Sequence, residues 1–326
     1  MSSSKLKLLE ELDRDMLVNS FGVQYRDFRR LLTPKFHLVW LHLLAGYICL
    51  VLISTLAILM DIYLPSYLPV NIIVCGSLFG YSIAYIQLFL HEAAHYNIAK
   101  DREVNDKLAN IFIGLMVGQN IKVYRSIHFA HHKNLGTPAD TETTYFEALN
   151  LKFILESITG IKVLKVLSVR KKFRQSKQAP SDTSKQSSIS TQLVLGAALN
   201  CLILVVSAVL GFWSLAGAWL AGVLIFFPFF CAIRQVLEHR DESARTEIDY
   251  HTTHHGQVNR MFGEGLLAST LGGAGFNRHM LHHWEPQVSY TRFKELEDFL
   301  MDTEAADIIQ NNRTSYLRTF VSLFSI

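Results

Sequence analysis

Histidine is the residue that gives this sequence its chemistry. His91-Glu92-Ala93-Ala94-His95 carries two imidazoles at i, i+4, while His128-Phe129-Ala130-His131-His132 and His279-Met280-Leu281-His282-His283 each carry three at i, i+3, i+4. On a helix those spacings share one face, so each segment offers its ring nitrogens in a single direction. Glu238-His239 supplies a ninth candidate. A transition-metal ion draws imidazole nitrogens from several rigid segments at once, and about four to six ligands satisfy one ion. Nine therefore predict a dinuclear site. Structural zinc sites are usually closed, four-coordinate and often thiolate-bearing. Cys49, Cys75, Cys201 and Cys231 all lie in apolar runs without CxxC spacing, and read as packing residues rather than ligands or disulfides. Two iron ions with O₂ as co-substrate suit an open imidazole site better.

Metal-bound histidines commonly donate their second N–H to a carboxylate, which gives Glu92 and Glu238 an orienting role. Asp140, Glu142, Asp241, Glu242 and Asp249 are candidates for the same task. His251-Thr252-Thr253-His254-His255 repeats the HxxHH pattern once more than needed. The third metal-binding segment is assigned to 279–283, because a short apolar stretch precedes it, as one precedes 128–132. His37 and His42 stand apart, at the start of an apolar run.

The elements that must hold these groups are membrane helices. The chain runs 24 residues from His37 to Met60, and 21 from Val70 to Leu90, without Asp, Glu, Lys or Arg. Each can cross a hydrocarbon core, which needs about 20 helical residues. A third uncharged run, Ser187 to Ile233, is about twice as long and is broken near Gly211, Trp213 and Ser214. It reads as two spans, because a helical hairpin keeps every backbone group paired. The expected spans are about 37–60, 70–90, 192–211 and 215–233, within one membrane domain at 37–326 that follows an N-terminal cytosolic or interfacial segment at 1–36. All 31 Lys and Arg residues lie outside the spans, and none lies in the two short connections. The positive-inside rule then puts both termini and the histidine clusters in the cytosol. The first span lies too far from the N-terminus to be a signal peptide.

Leu8, Leu9, Leu12 and Met16 recur at helical spacing, predicting an amphipathic helix over Ser4 to Phe21, either on the membrane surface or packed on the cytosolic cap. Leu108 to Gly118 and Met261 to Phe276 are too short to span and read as interfacial or shallowly re-entrant. About 162–190 is rich in Lys, Arg, Ser and Gln, which predicts a mobile basic loop that meets anionic lipid or an acidic partner, or is simply solvated.

The order HEAAH, HFAHH, Arg234-Gln235-Val236-Leu237-Glu238-His239 and HMLHHWEP resembles the membrane fatty acid desaturase superfamily, whose boxes read HxxxH, HxxHH and HxxHH. The likeness extends from about the first span to Leu300. It implies an all-α integral membrane fold of four transmembrane helices, with a cytosolic helical cap enclosing a di-iron site. It also makes His239 an additional ligand, and lets Gln235 hold a water at one iron. The activity implied is O₂-dependent desaturation of a lipid acyl or similar long apolar chain, with a hydroxylase or ketolase on the same scaffold as the alternative. A histidine-rich metal transporter would carry its polar ligands midway through the spans, where this sequence has none. The chain has no GxGxxG and no cysteine cluster, so the reducing electrons are expected from a ferredoxin or a cytochrome b5-like donor on the basic cytosolic face. No nucleic-acid partner is expected.

Overall fold

The computed structural model describes residues 8–166, 168 and 191–324. Among these residues there are helices and a few isolated β-bridges, and no strand. After a short helix α1 (Tyr25–Arg29), four helices are long and apolar enough to cross a membrane. They are α2 (Phe36–Tyr63), α3 (Leu68–Ala94), α7 (Thr191–Val209) and a fourth span built of three pieces. Those pieces are α8 (Trp213–Ala221), a π-helical turn (Gly222–Phe226) and α9 (Phe227–His239). The expected spans are present, but α3 and α9 continue past them to Ala94 and His239. A helix leaving hydrocarbon can admit charged side chains while its backbone ladder continues, so the uncharged run is shorter than the helix. This overrun carries His91 and His239 on rigid elements.

The second span is the centre of the bundle. Its apolar window is 56% buried, against 22%, 11% and 28% for the first, third and fourth spans. Its contact with the fourth span is backbone-close at Gly80, where an added Cβ would lie 2.3 Å from the Phe226 Cβ and 2.6 Å from the Phe227 nitrogen. Pro228 lacks the N–H that a regular ladder would use here, and the chain re-pairs as the π turn just before it. At the far end of the bundle the Asp61 carboxylate accepts from the Ser214 N–H at 2.8 and 3.0 Å. It satisfies one of the orphan donors that open the fourth span.

The remaining helices are shorter and lie outside the four candidate spans. They are α4 (Arg102–Phe112), α5 (Ile121–Asn134), α6 (Leu151–Ile158), α10 (Leu266–Thr270), α11 (His279–Trp284), α12 (Phe293–Met301), α13 (Ala306–Asn311) and α14 (Tyr316–Leu323). Leu108 to Gly118 becomes the end of α4 and a 3-10 turn. Met261 to Phe276 keeps only α10, and its Thr270 hydroxyl pairs with Tyr81 on α3 at 2.6 Å.

The expected amphipathic helix at the N-terminus is not formed among the described residues 8–21. A 3-10 turn at Leu9–Glu11 and a bridge between Val18 and Gln24 stand in its place. Asp13 accepts from the Asp15 N–H, and Asn19 accepts from the N–H groups of Phe21 and Val23. Such side-chain acceptors compete with the helical ladder, and hydrophobic spacing does not register them. Leu9 and Leu17 are buried in one cluster with Leu281 and Trp284. Of the expected loop at 162–190, residues 162–166 and 168 are helical, with Lys162 buried 2.6 Å from Glu147; residues 167 and 169–190 lie outside the described residues.

Candidate metal centre

Four elements bring nine imidazoles together. His91 sits in the last turn of α3 and His95 caps it, α5 supplies His128, His131 and His132, α9 ends on His239, and α11 carries His279, His282 and His283. Arg125 on α5 binds the carbonyls of Ala93 (3.0 Å) and Ala94 (2.8 Å) and the carboxylate of Asp106. It ties the open end of α3 to the second histidine segment with charge-assisted bonds.

The nitrogens fall into two neighbouring sets. His91, His95, His128, His132 and His282 form one group whose ligand atoms all lie within 4.8 Å of one another. Within it, Nε2–Nε2 separations are 3.0 Å for His95 and His128, 2.9 Å for His128 and His132, and 2.8 Å for His132 and His282. His131, His239 and His283 form a second group, while Glu238, His239 and His279 form a third that shares His239 with it. His279 Nε2 lies 3.0 Å from His239 Nε2 and 3.1 Å from His283 Nε2. The rings of His132 and His283 stand 4.4 Å apart and join the sets.

These arrangements fit metal ions. Nitrogens at right angles around an ion, each about 2.1 Å from it, lie about 3 Å apart. Both ring nitrogens of the buried His91 lack a hydrogen-bond partner, and an ion in its group would take one of them. Burial, reinforced by neighbouring imidazoles, holds His132, His279, His282 and His283 well below the ordinary histidine range. Neutral imidazole is the form that binds metal.

Carboxylates and carbonyls orient some of these rings from behind. His131 Nδ1 lies 2.9 Å from Asp140 Oδ1, and the Tyr145 hydroxyl donates to the other oxygen. Burial works against a charged His131, but Glu142 and Asp140 outweigh it and push the group up to about 9. His239 Nδ1 donates to the Val258 carbonyl at 3.0 Å. Asp140 was legible as a partner from its charge and position; Tyr145 and Val258 left no signal in the sequence.

The other expected residues divide. Glu238 pairs with Arg234 at 3.1 Å and lies 4.0 Å from His279 Nε2. Glu92 is buried and accepts from Ser289 and the Tyr290 N–H. Gln235 accepts from the Thr144 N–H and donates to Glu142. His251 and His254 are exposed, while His255 is buried against Tyr145 and the Asp241 N–H. None of these three joins a metal-competent group among the described residues. His42 meets the Tyr290 hydroxyl at 2.8 Å, and His37 is exposed. A cavity of about 230 Å³ reaches the site, lined by Ala84, Leu88, His91, Glu142, Phe227 and Gln235 among others.

The family described as fatty acid desaturase matches residues 65–308, which hold all four elements of the site. The chain belongs to the fatty acid desaturase family. No curated protein matches it. As a desaturase-family member it is an oxidoreductase of the membrane, with its histidine boxes gathered into clusters that fit a metal site.

Proposed function

We propose that this chain desaturates a lipid acyl or similarly long apolar chain, using O₂ and two iron ions held by His91, His95, His128, His131, His132, His239, His279, His282 and His283. The observation that carries the reading is the division of the imidazoles into adjoining sets, one of five and one around His131, His239, His279 and His283. When bound, the iron pair supplies the oxidising power that no amino-acid side chain offers toward an unactivated methylene. Each turnover removes two hydrogen atoms from neighbouring carbons. It also takes two electrons and two protons from a donor, and O₂ leaves as two waters.

The protein's own residues provide orientation and exclusion. Asp140 and the Val258 carbonyl fix the rings of His131 and His239, leaving their Nε2 atoms for metal. Ala84, Leu88 and Phe227 wall the cavity beside His91, so a bound chain is held by packing, and that packing selects the carbon pair. Gln235 and Glu142 edge the same cavity as a hydrogen-bonded pair. The positive-inside distribution of Lys and Arg supports a cytosolic cap and termini. A ferredoxin or cytochrome b5-like protein is the proposed electron donor.

The test is metal analysis of detergent-purified protein, followed by turnover under ¹⁸O₂ with a reconstituted donor. Two irons per chain, and a product two hydrogens lighter with label in water, support the proposal. One ion per chain, or zinc that fully supports turnover, overturns it. A dominant product that gains labelled oxygen moves the chemistry to hydroxylation.

A further inference from the structure

The third histidine box sits on the weakest support of the four. α11 is only six residues long, too short to hold its shape through its own hydrogen bonds. His91 and His239 belong to membrane spans, and α5 has 14 residues. α11 is held by the burial of Met280, Leu281 and Trp284 and, at its end, by Glu285. This carboxylate is buried, and three groups from the N-terminal segment converge on it. The Tyr25 hydroxyl donates at 2.8 Å, Arg29 at 3.1 Å and Arg14 at 3.3 Å. Arg14 also donates to the Trp284 carbonyl and lies over the Trp284 indole, 4.9 Å from its centre. The Tyr25 ring packs 4.9 Å from the same indole. Trp284 is fully buried and directly follows His283.

From this geometry we infer that the N-terminal segment is part of the metal-binding machinery. Glu285, Arg14 and Arg29 are positioning residues that aim His279, His282 and His283. The inference rests on the iron-binding reading above. A buried carboxylate stripped of both cations is strongly unfavourable, so loss of the arginines favours displacement of Glu285 and of the helix it ends. Arg14 and Arg29 themselves are 45% and 40% exposed, so replacing them disturbs the core less than replacing the buried Glu285 does.

The experiment uses the full-length protein in mild detergent, comparing wild type with Glu285→Gln, the double variant Arg14→Gln/Arg29→Gln, and the conservative Arg29→Lys. Iron per chain in the monodisperse fraction and the rate of iron release to a chelator are measured beside the melting temperature. The double variant is expected to release iron at least about tenfold faster, in line with the loss of affinity when groups behind metal-binding histidines are removed. Arg29→Lys should fall between it and wild type. A folded double variant with wild-type iron content and release rate would overturn the inference, whatever its melting temperature. If Glu285→Gln is not recovered folded, the double variant alone decides. Wild-type protein without iron would instead overturn the reading beneath it, and this inference with it.

Discussion

His131 and Asp140 are both buried, and the imidazole Nδ1 stands 2.9 Å from one carboxylate oxygen and 3.1 Å from the other. The pairing leaves Nε2 as the free nitrogen and makes the ring a stronger electron donor. Asp140→Ala should weaken metal binding by roughly 10- to 100-fold. Asp140→Asn, which keeps an acceptor but loses the charge, should weaken it less. Competition against a chelator of known affinity gives both values, and equal affinity in all three proteins would remove Asp140 from the site.

Among the histidines, His239→Ala and His132→Ala should each abolish turnover, because His239 closes on His279 and His132 bridges His128 and His282. His254→Ala should retain substantial turnover, since that side chain is exposed and outside every metal-competent group. Product analysis at matched expression checks the ranking. Loss of activity in His254→Ala equal to the other two would return the spare HxxHH to the ligand set.

The metal-free protein should lose stability in acid. Burial keeps His95, His132, His279, His282 and His283 well below the ordinary value of 6.5. Once unfolded they take up protons near that value, so below it the unfolded chain binds more protons and stability falls with pH. His131, pushed up to about 9, acts oppositely: its contribution is complete below 6.5 and disappears as pH rises through about 9. The lowered imidazoles outnumber His131, which predicts a lower melting temperature at pH 5 than at pH 7 after chelation. A higher one would contradict the neutral, buried ring cluster.

Ala84→Phe should leave iron content unchanged and cut turnover on long chains. Ala84 lines the cavity beside His91 and also borders a smaller void walled by Tyr81, Tyr85 and Phe230. A phenyl ring there fills space that the substrate is proposed to occupy. Iron analysis and a series of acyl lengths would check it. Unchanged turnover at every length would place the substrate elsewhere.

Much of this was legible because its signals are periodic. Uncharged runs revealed the four spans, and i, i+3, i+4 histidines revealed three of the four supporting elements. The metal-competent groups gather the eight box histidines and His239 and leave out His251, His254 and His255. What stayed hidden is not periodic. Asn19 and Asp13 turn the N-terminal segment away from a helix through local side-chain bonds. The approach of Arg14 to Glu285 joins residues 271 apart. The Val258 carbonyl that orients His239 has no side-chain signature at all.

The π turn at Gly222–Phe226 also sets an angle. Each residue added to or removed from a helix rotates everything beyond it by about 100°. The turn lodges in the fourth span between two α-helical stretches, so it sets the phase between the half that begins at Trp213 and the half that ends in Glu238 and His239. Deleting one residue from the α-helical stretch that follows, within 227–233, would keep the span apolar and long enough to cross the bilayer. It would nonetheless rotate His239 away from His279. The fourth span is therefore under two separate constraints, one on its greasiness and one on its residue count modulo a turn, and a hydropathy plot registers only the first.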